Sequence, residues 1–253
     1  MLSADAFRQP AIYNRESMQP ERIAELLKPF LAPLPPKKPC PSEPARSGGE
    51  EPAVLSPAQL HHISTYIDIL LRWNTRINLT AIRDEEQIVT RHFGESLFAA
   101  RHLFPIEGAG DHREALAPEV ADVGAGAGFP GLPIKLWAPQ ISLTLIESNH
   151  KKAAFLREVT RALTLTNVNI QTVRAESLHA IFNVVTLRAV ERFETILPTA
   201  ARLVSPGGRL ALLIGSEQVS QAGTLLPSLH WRSPVPIPLS QSRIVAIGDR
   251  PTI

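Results

Sequence analysis

Between Leu60 and Leu71 the apolar residues Leu60, Ile63, Ile67, Leu70 and Leu71 recur at steps of three and four, the single buried face of an amphipathic helix. Its start is marked by LSPAQL: Ser56 suits the N-cap, Pro57 the first helical position, Gln59 closes a capping box, and Leu55 can staple to Leu60. Trp73 ends this helix. The segment WNTRINLTAIRD follows, poor in glycine and rich in side chains that donate hydrogen bonds, and a second helix is predicted from about Asp84 to Leu103.

From Glu119 the period changes. Short apolar strands are legible at EVADV, ISLTLIE, VNIQTV, NVVTLRA and GRLALLIG, with helical stretches near Pro130 to Trp137, Asn149 to Leu163, Glu191 to Val204 and Ser216 to Leu226. That alternation predicts right-handed crossovers and an α/β fold with a mainly parallel sheet covered on both faces. Two further strands, around Trp231 to Ile237 and Arg243 to Ile247, have no helix between them and predict an antiparallel end to the sheet. Before Leu55 the pattern is weaker: a possible short helix, Glu21 to Ala32, then PLPPKKPCPSEPARSGGEEP, whose prolines predict extended or disordered chain. The expected organisation is a proline-rich extension (1–54) and one domain (55–253), itself a helical preface (55–118) and a Rossmann-like core (119–253).

Composition narrows the class. Hydrophobic content of 44% and charged content of 20% are those of a globular protein. No run approaches 18 apolar residues, and MLSADAFRQP lacks the regions of a signal peptide, so a cytoplasmic, membrane-free protein is expected. The single cysteine, Cys40, excludes an internal disulfide or a multi-cysteine zinc site, and no metal site is expected. A net charge of +2 does not by itself argue for nucleic acid. Between Asn149 and Arg174, however, Lys151, Lys152, Arg157, Arg161 and Arg174 stand against Glu158 alone, which is either a solvated helix face or a phosphate-facing patch.

The chemistry is concentrated in VADVGAGAGFPG. Gly124, Gly126 and Gly128 follow the first core strand directly, where a turn with positive φ lets a ligand approach the backbone. Gly126, Gly128 and Gly131 also satisfy the G-x-G-x-x-G spacing of dinucleotide sites. Asp122, two residues before Gly124, would repel a pyrophosphate but not an ammonium or sulfonium group, which suggests S-adenosylmethionine. Glu147 closes the second strand, where a carboxylate accepts from ribose hydroxyls; an NAD site would use the same acid.

GAGAGFPG, preceded by NLTAIRD and RHFGESL and followed by RAES and LRAV, resembles the RsmG (GidB) family, which methylates N7 of a guanine in bacterial 16S ribosomal RNA. The resemblance spans roughly Leu55 to Ile247. It implies a class I methyltransferase fold of seven strands with the last antiparallel, S-adenosylmethionine as cofactor, and 16S ribosomal RNA or the small ribosomal subunit as partner of a monomeric enzyme. Carried onto this sequence, it implies cofactor contacts from Gly124, Phe129, Glu147, Ala175, Glu176 and Arg188, to which the glycine turn itself adds Gly126 and Gly128. Arg188 is the expected catalytic residue, gripping guanine O6 or a phosphate. Asn78, Thr80, Arg83, Arg91 and His92 would frame the RNA, with Lys151 and Lys152 beside them.

Guanine N7 carries a free lone pair, so the absence of an obvious nucleophile and base is expected of such an enzyme. No Asn-Pro-Pro-Tyr-like segment follows strand four, and Cys40 is misplaced to attack a pyrimidine. The chain departs from the family pattern at Leu187, where a serine usually stands, at Glu95, usually aspartate, and at Ile214, commonly lysine. Two other readings remain at this level: an NAD(P)-dependent oxidoreductase using the Gly126 to Gly131 spacing, and an RNA-binding relative without activity.

Overall fold

A computed structural model of the protein describes residues 17–33, 53–105, 117–188 and 193–252. The proline-rich linker with Cys40, and Glu191 after the fourth strand, lie outside the described residues.

The helical elements are α1 (Pro20–Leu31), α2 (Pro57–Asn74), α3 (85–103), α4 (Gly131–Trp137), α5 (His150–Ala162), α6 (Phe193–Arg202) and α7 (Val219–Leu225). The capping box of α2 is formed: Ser56 Oγ accepts from the Gln59 N–H at 3.2 Å and Gln59 Oε1 from the Ser56 N–H at 2.7 Å. Helix α3 comprises three consecutive pieces, Glu85–Gln87, Ile88–Gly94 and Glu95–Leu103, the middle one wound as a π-helix. A π-helical stretch widens the turn and is commonly found at functional sites.

The strands are β1 (Glu119–Val123), β2 (Ser142–Ile146), β3 (Val168–Gln171), β4 (Phe182–Arg188), β5 (Val204–Gly215), β6 (His230–Trp231), β7 (Val235–Pro236) and β8 (Arg243–Asp249). They form one sheet in the order β3-β2-β1-β4-β5-β8-β6, with β7 also on β8. The pairings from β3 to β5 are parallel, and β8 runs antiparallel to β5. The strand expected at Trp231 to Ile237 is present as two short pieces along one edge of β8, because Pro234 and Pro236 have no N–H to give to the ladder. Eight strands by count thus reduce to the expected seven.

Side chains alternate across the sheet. Val120 and Val184 join a core with α1, α2, α3, α4 and α5, while Ala121, Val123, Val185 and Leu187 join one with α6 and α7. Connections leave β1 in one direction and β4 in the other, so the crevice above the ends of β1 and β4 is where a ligand binds in such a sheet.

The boundary at residue 55 needs correcting. Helix α1 buries Ile23, Leu27, Phe30 and Leu31 in the same core as α2 and α3, each contributing about 1.5–3 kcal/mol of transfer free energy. Phe30 fills the space beside Gly94, where an added Cβ would lie 2.6 Å from its ring, and Arg101 donates to the Phe30 and Ala32 carbonyls. An amphipathic face of four apolar residues cannot stay in water, so α1 belongs to the domain rather than to an appendage.

Candidate active site

The turn after β1 is held from below. Gly124 and Ala125 N–H groups both donate to the Ile146 carbonyl, and Gly124, Gly126 and Gly128 have φ of 70°, 54° and 84°. The three glycines do different work. Among the described residues a Cβ on Gly126 would meet only the Gly124 carbonyl, at 3.7 Å, so its missing side chain leaves open space on the ligand side. A Cβ on Gly128 would overlap the Tyr66 hydroxyl and lie 2.6 Å from Leu132, and one on Gly131 would lie 2.8 Å from Asp122 Oδ2. Those two glycines make room for protein.

Asp122 does not face the ligand, contrary to the role its spacing suggests. Its side chain is buried and accepts from the Gly131 N–H at 2.9 Å and the Thr186 hydroxyl at 2.9 Å. Burial pushes its carboxyl up to about 7, partly offset by those two hydrogen bonds. The same geometry tells against a dinucleotide: the N–H that opens α4 is taken by Asp122, and the second glycine of the spacing, which would admit a pyrophosphate, lies under Tyr66.

Glu147 directly follows β2. Oε2 accepts from the Gly126 N–H at 2.9 Å and Oε1 from the Asn149 N–H at 2.7 Å, so one carboxylate aims both the glycine turn and the start of α5. Each oxygen retains a second lone pair, a match for two neighbouring hydroxyls. Open space at Gly126 beside this acceptor pair fits the ribose of S-adenosylmethionine. Ala175 is buried and Glu176 exposed in a short turn beyond β3, where Arg202 donates to the Glu176 carbonyl. Lys151, exposed, and Lys152, half-buried, open α5, both N–H groups capped by Asn149.

Phe129 is committed to the interior. Its ring stacks on Tyr66 (centroids 5.4 Å, interplanar angle 4°) and on His92 (4.7 Å, 19°), with Phe93 against its edge. Tyr66 donates to the Ala127 carbonyl at 2.5 Å. The helical preface therefore grips the glycine turn from behind.

The other wall is basic. Arg188, at the end of β4, donates through Nη2 to the Arg91 carbonyl (2.5 Å) and to Glu95 Oε2 (3.0 Å), and weakly through Nη1 to the His92 carbonyl and Ser96 Oγ, both at 3.4 Å. Glu95, 1% exposed, also accepts from Arg243 Nε at 2.7 Å and pairs with Arg91 Nε at 3.3 Å. Three guanidinium groups thus share one buried carboxylate. Glu95 is the anionic partner of Arg188, while Glu194 accepts from Gln221 Nε2. A cleft of about 160 Å³ opens beside them, lined by Arg188, Arg243, Gln218 and the apolar Leu187, Phe193 and Ile214.

His92 sits between cradle and arginines. Burial, and then the charges of Arg188, Arg91 and Arg243, push it down to about 3, so it is neutral at physiological pH. Thr80 Oγ1 lies 2.8 Å from its Nε2, and Arg83 donates to the Asn74 carbonyl at 3.0 Å. Asn78 is exposed. Asn74 organises this loop, accepting from the Leu79 and Thr80 N–H groups.

Of the expected residues, the structure gathers Gly124, Gly126, Phe129, Glu147, Thr80, Arg91, His92 and Arg188 around the ends of β1, β2 and β4. Lys151 and Lys152 flank Glu147, while Asn78 and Glu176 make no side-chain hydrogen bond among the described residues. Sequence reasoning overlooked Tyr66, Asn74 and Arg243. The register of β8 on β5, with Arg243 opposite Gly215, is the signal that would have found the last.

Residues 59–228 match the family model described as GidB, rRNA small subunit methyltransferase G. The chain is 36% identical over 179 residues to ribosomal RNA small subunit methyltransferase G of Xylella fastidiosa (strain M23), covering 70% of this chain and 78% of that protein. It is 38% identical over 206 residues to that of Roseiflexus sp. (strain RS-1), covering 76% and 84%. Among solved structures, magnesium protoporphyrin IX methyltransferase from Synechocystis PCC 6803, solved with bound SAM, is similar with a TM-score of 0.55 at 13% identity, covering 78% of this chain and 99% of that one. Ribosomal protein L11 methylase from Lactobacillus delbrueckii subsp. bulgaricus gives 0.50 at 11%, covering 63% and 79%. At such identities these two show the fold alone.

Proposed function

The chain belongs to the GidB family, rRNA small subunit methyltransferase G, and from that premise we propose that it methylates N7 of a guanine in 16S ribosomal RNA. It is an S-adenosylmethionine-dependent rRNA methyltransferase. When bound, the cofactor supplies an electrophilic methyl group on a sulfonium. Gly124 and Gly126 would bring backbone close to it, Glu147 would offer two acceptors to the ribose, and the turn at Ala175 and Glu176 would supply further contacts. Neither the NAD(P) reading nor an inactive RNA-binding relative draws support from the family match.

The observation that carries the acceptor is the character of the wall opposite the glycine turn. Arg91, Arg188 and Arg243 around a single carboxylate leave an excess of positive charge beside a cleft with an apolar floor, which suits a base with its phosphate. Among the described residues near the cleft, His92 is pushed down to about 3 and Asp122 is buried and engaged, so neither serves as a base at neutral pH. An acceptor with a free lone pair needs alignment more than deprotonation, and guanine N7 is such an acceptor. The reading implies a cytoplasmic enzyme that meets RNA across α3, the loop from Asn78 to Arg83 and the start of α5.

The test is transfer of radiolabelled methyl from S-adenosylmethionine to small subunits, or their RNA, lacking the modification, with the product mapped by cleavage at 7-methylguanine. Label at one guanine is expected. Label at another base type would discard N7 while keeping the methyltransferase.

A further inference from the structure

Arg188, expected from the family pattern to grip the guanine, has its terminal nitrogens engaged elsewhere. Its two terminal nitrogens are spent on the Arg91 and His92 carbonyls, Ser96 and Glu95, and its side chain is 10% exposed. Beside it stands a donor without employment. His92 Nδ1 is buried and has no hydrogen-bond partner among the described residues.

The protonation of that nitrogen follows from the other side of the ring. Thr80 Oγ1 accepts from the Ile82 N–H at 3.1 Å and lies 2.8 Å from His92 Nε2, so its one hydrogen meets an acceptor there when Nε2 is unprotonated. Were Nε2 the protonated nitrogen, both the Thr80 hydrogen and the Nδ1 lone pair would lack partners; with Nδ1 protonated, a single group does. The neutral ring therefore carries its hydrogen on Nδ1. Leaving such a donor buried and unmet is unfavourable, a cost a site bears where a ligand completes it. The ring is fixed by stacking on Phe129 of the glycine turn, and the residue's own carbonyl accepts from Arg188, so His92 lies between the glycine turn and the arginine that lines the cleft.

Building on the guanine-N7 reading, we propose that His92 Nδ1–H donates a hydrogen bond to O6 of the target guanine and so orients N7 for attack. O6 borders N7 on the same edge of the base, and N7 itself must keep its lone pair free. A neutral donor suits the task, since a cationic one at O6 would draw electron density from the attacking nitrogen.

The test compares wild type, His92→Phe, which keeps a flat ring against Phe129, and His92→Asn, whose amide places an N–H near the former Nδ1. Each acts on RNA carrying guanine or 2-aminopurine, which has N7 but no O6, at the target. Wild type is expected to favour guanine in kcat/KM by roughly ten- to a hundredfold, the worth of one hydrogen bond left unmet. His92→Phe is expected to lose that preference with cofactor affinity retained, and His92→Asn to recover part of it. Undiminished preference in His92→Phe overturns the proposal, and so does loss of cofactor affinity in that variant, which would give the donor to the cofactor carboxylate. Nitrogen-15 spectra of the wild-type imidazole check the tautomer independently of any variant: protonation at Nε2 overturns it. Wild type without transfer to N7 would instead defeat the underlying function.

Discussion

Arg188 and Glu95, 93 residues apart in the chain, meet at 3.0 Å in the interior, and Arg243, 148 residues from Glu95, grips the same carboxylate. The pair locks the end of β4 to the π-helical turn. Replacing Glu95 by Gln leaves three guanidinium groups around a neutral amide, two of them largely removed from water. A loss of about 3–5 kcal/mol is expected in urea unfolding, with transfer abolished. Glu95→Asp, one methylene shorter, should keep the charge and the fold yet loosen at least one arginine; thermal unfolding and single-turnover rates read the two effects separately.

The glycines divide by what their missing side chains face. Gly126→Ala is expected to fold with a strain cost of about 1–2 kcal/mol for its positive φ while losing cofactor affinity by calorimetric titration. Gly128→Ala drives a methyl into Tyr66 and Leu132 and should unfold at markedly lower denaturant concentration. Equal effects on affinity and stability from both would contradict this division.

Asp122 makes stability depend on pH in an unusual sense for a carboxylate. Its folded value, about 7, lies above the unfolded 3.8, so its contribution is fully present below about 3.8 and is lost as pH rises to about 7. Asn in its place can still accept from the Gly131 N–H. Urea midpoints of the wild type should fall across that window relative to those of Asp122→Asn, and parallel profiles would show that the group is not strained.

Helix α1 is expected to be indispensable. Phe30→Ala empties a site against Gly94 of the π-helical turn and should cost about 3–5 kcal/mol. Removing residues 1–33 should impair folding outright, whereas removing 1–16 tests only chain outside the described residues. A truncation at 33 with native thermal stability would return α1 to the status of an appendage.

Much of the fold was legible because it is written locally. The cap at Ser56, the step of three and four from Leu60 to Leu71, and the apolar strand EVADV each specify an element from neighbours in the chain, and β1 was located to the residue. The three glycines after β1 and the acid closing β2 were equally plain, since a turn with positive φ needs glycine wherever it occurs. Helix α1 was legible as a helix but not as part of the core, because its apolar face says that it must be covered and not by what.

The site itself was decided by tertiary structure. Spacing could not tell that Gly126 faces open space while Gly128 faces Tyr66, that Asp122 braces α4 from beneath, or that Phe129 lies between Tyr66 and His92. Nor could it pair Glu95 with Arg243 across the antiparallel last strand, or deny Arg188 a free fork. The sequence by itself determined the elements, their order and the family's chemistry, because backbone preference and amphipathic period act over a few residues. Which side chains meet, and therefore which donors are spent and which remain, is set by packing between segments far apart in the chain, where no local pattern names the partner.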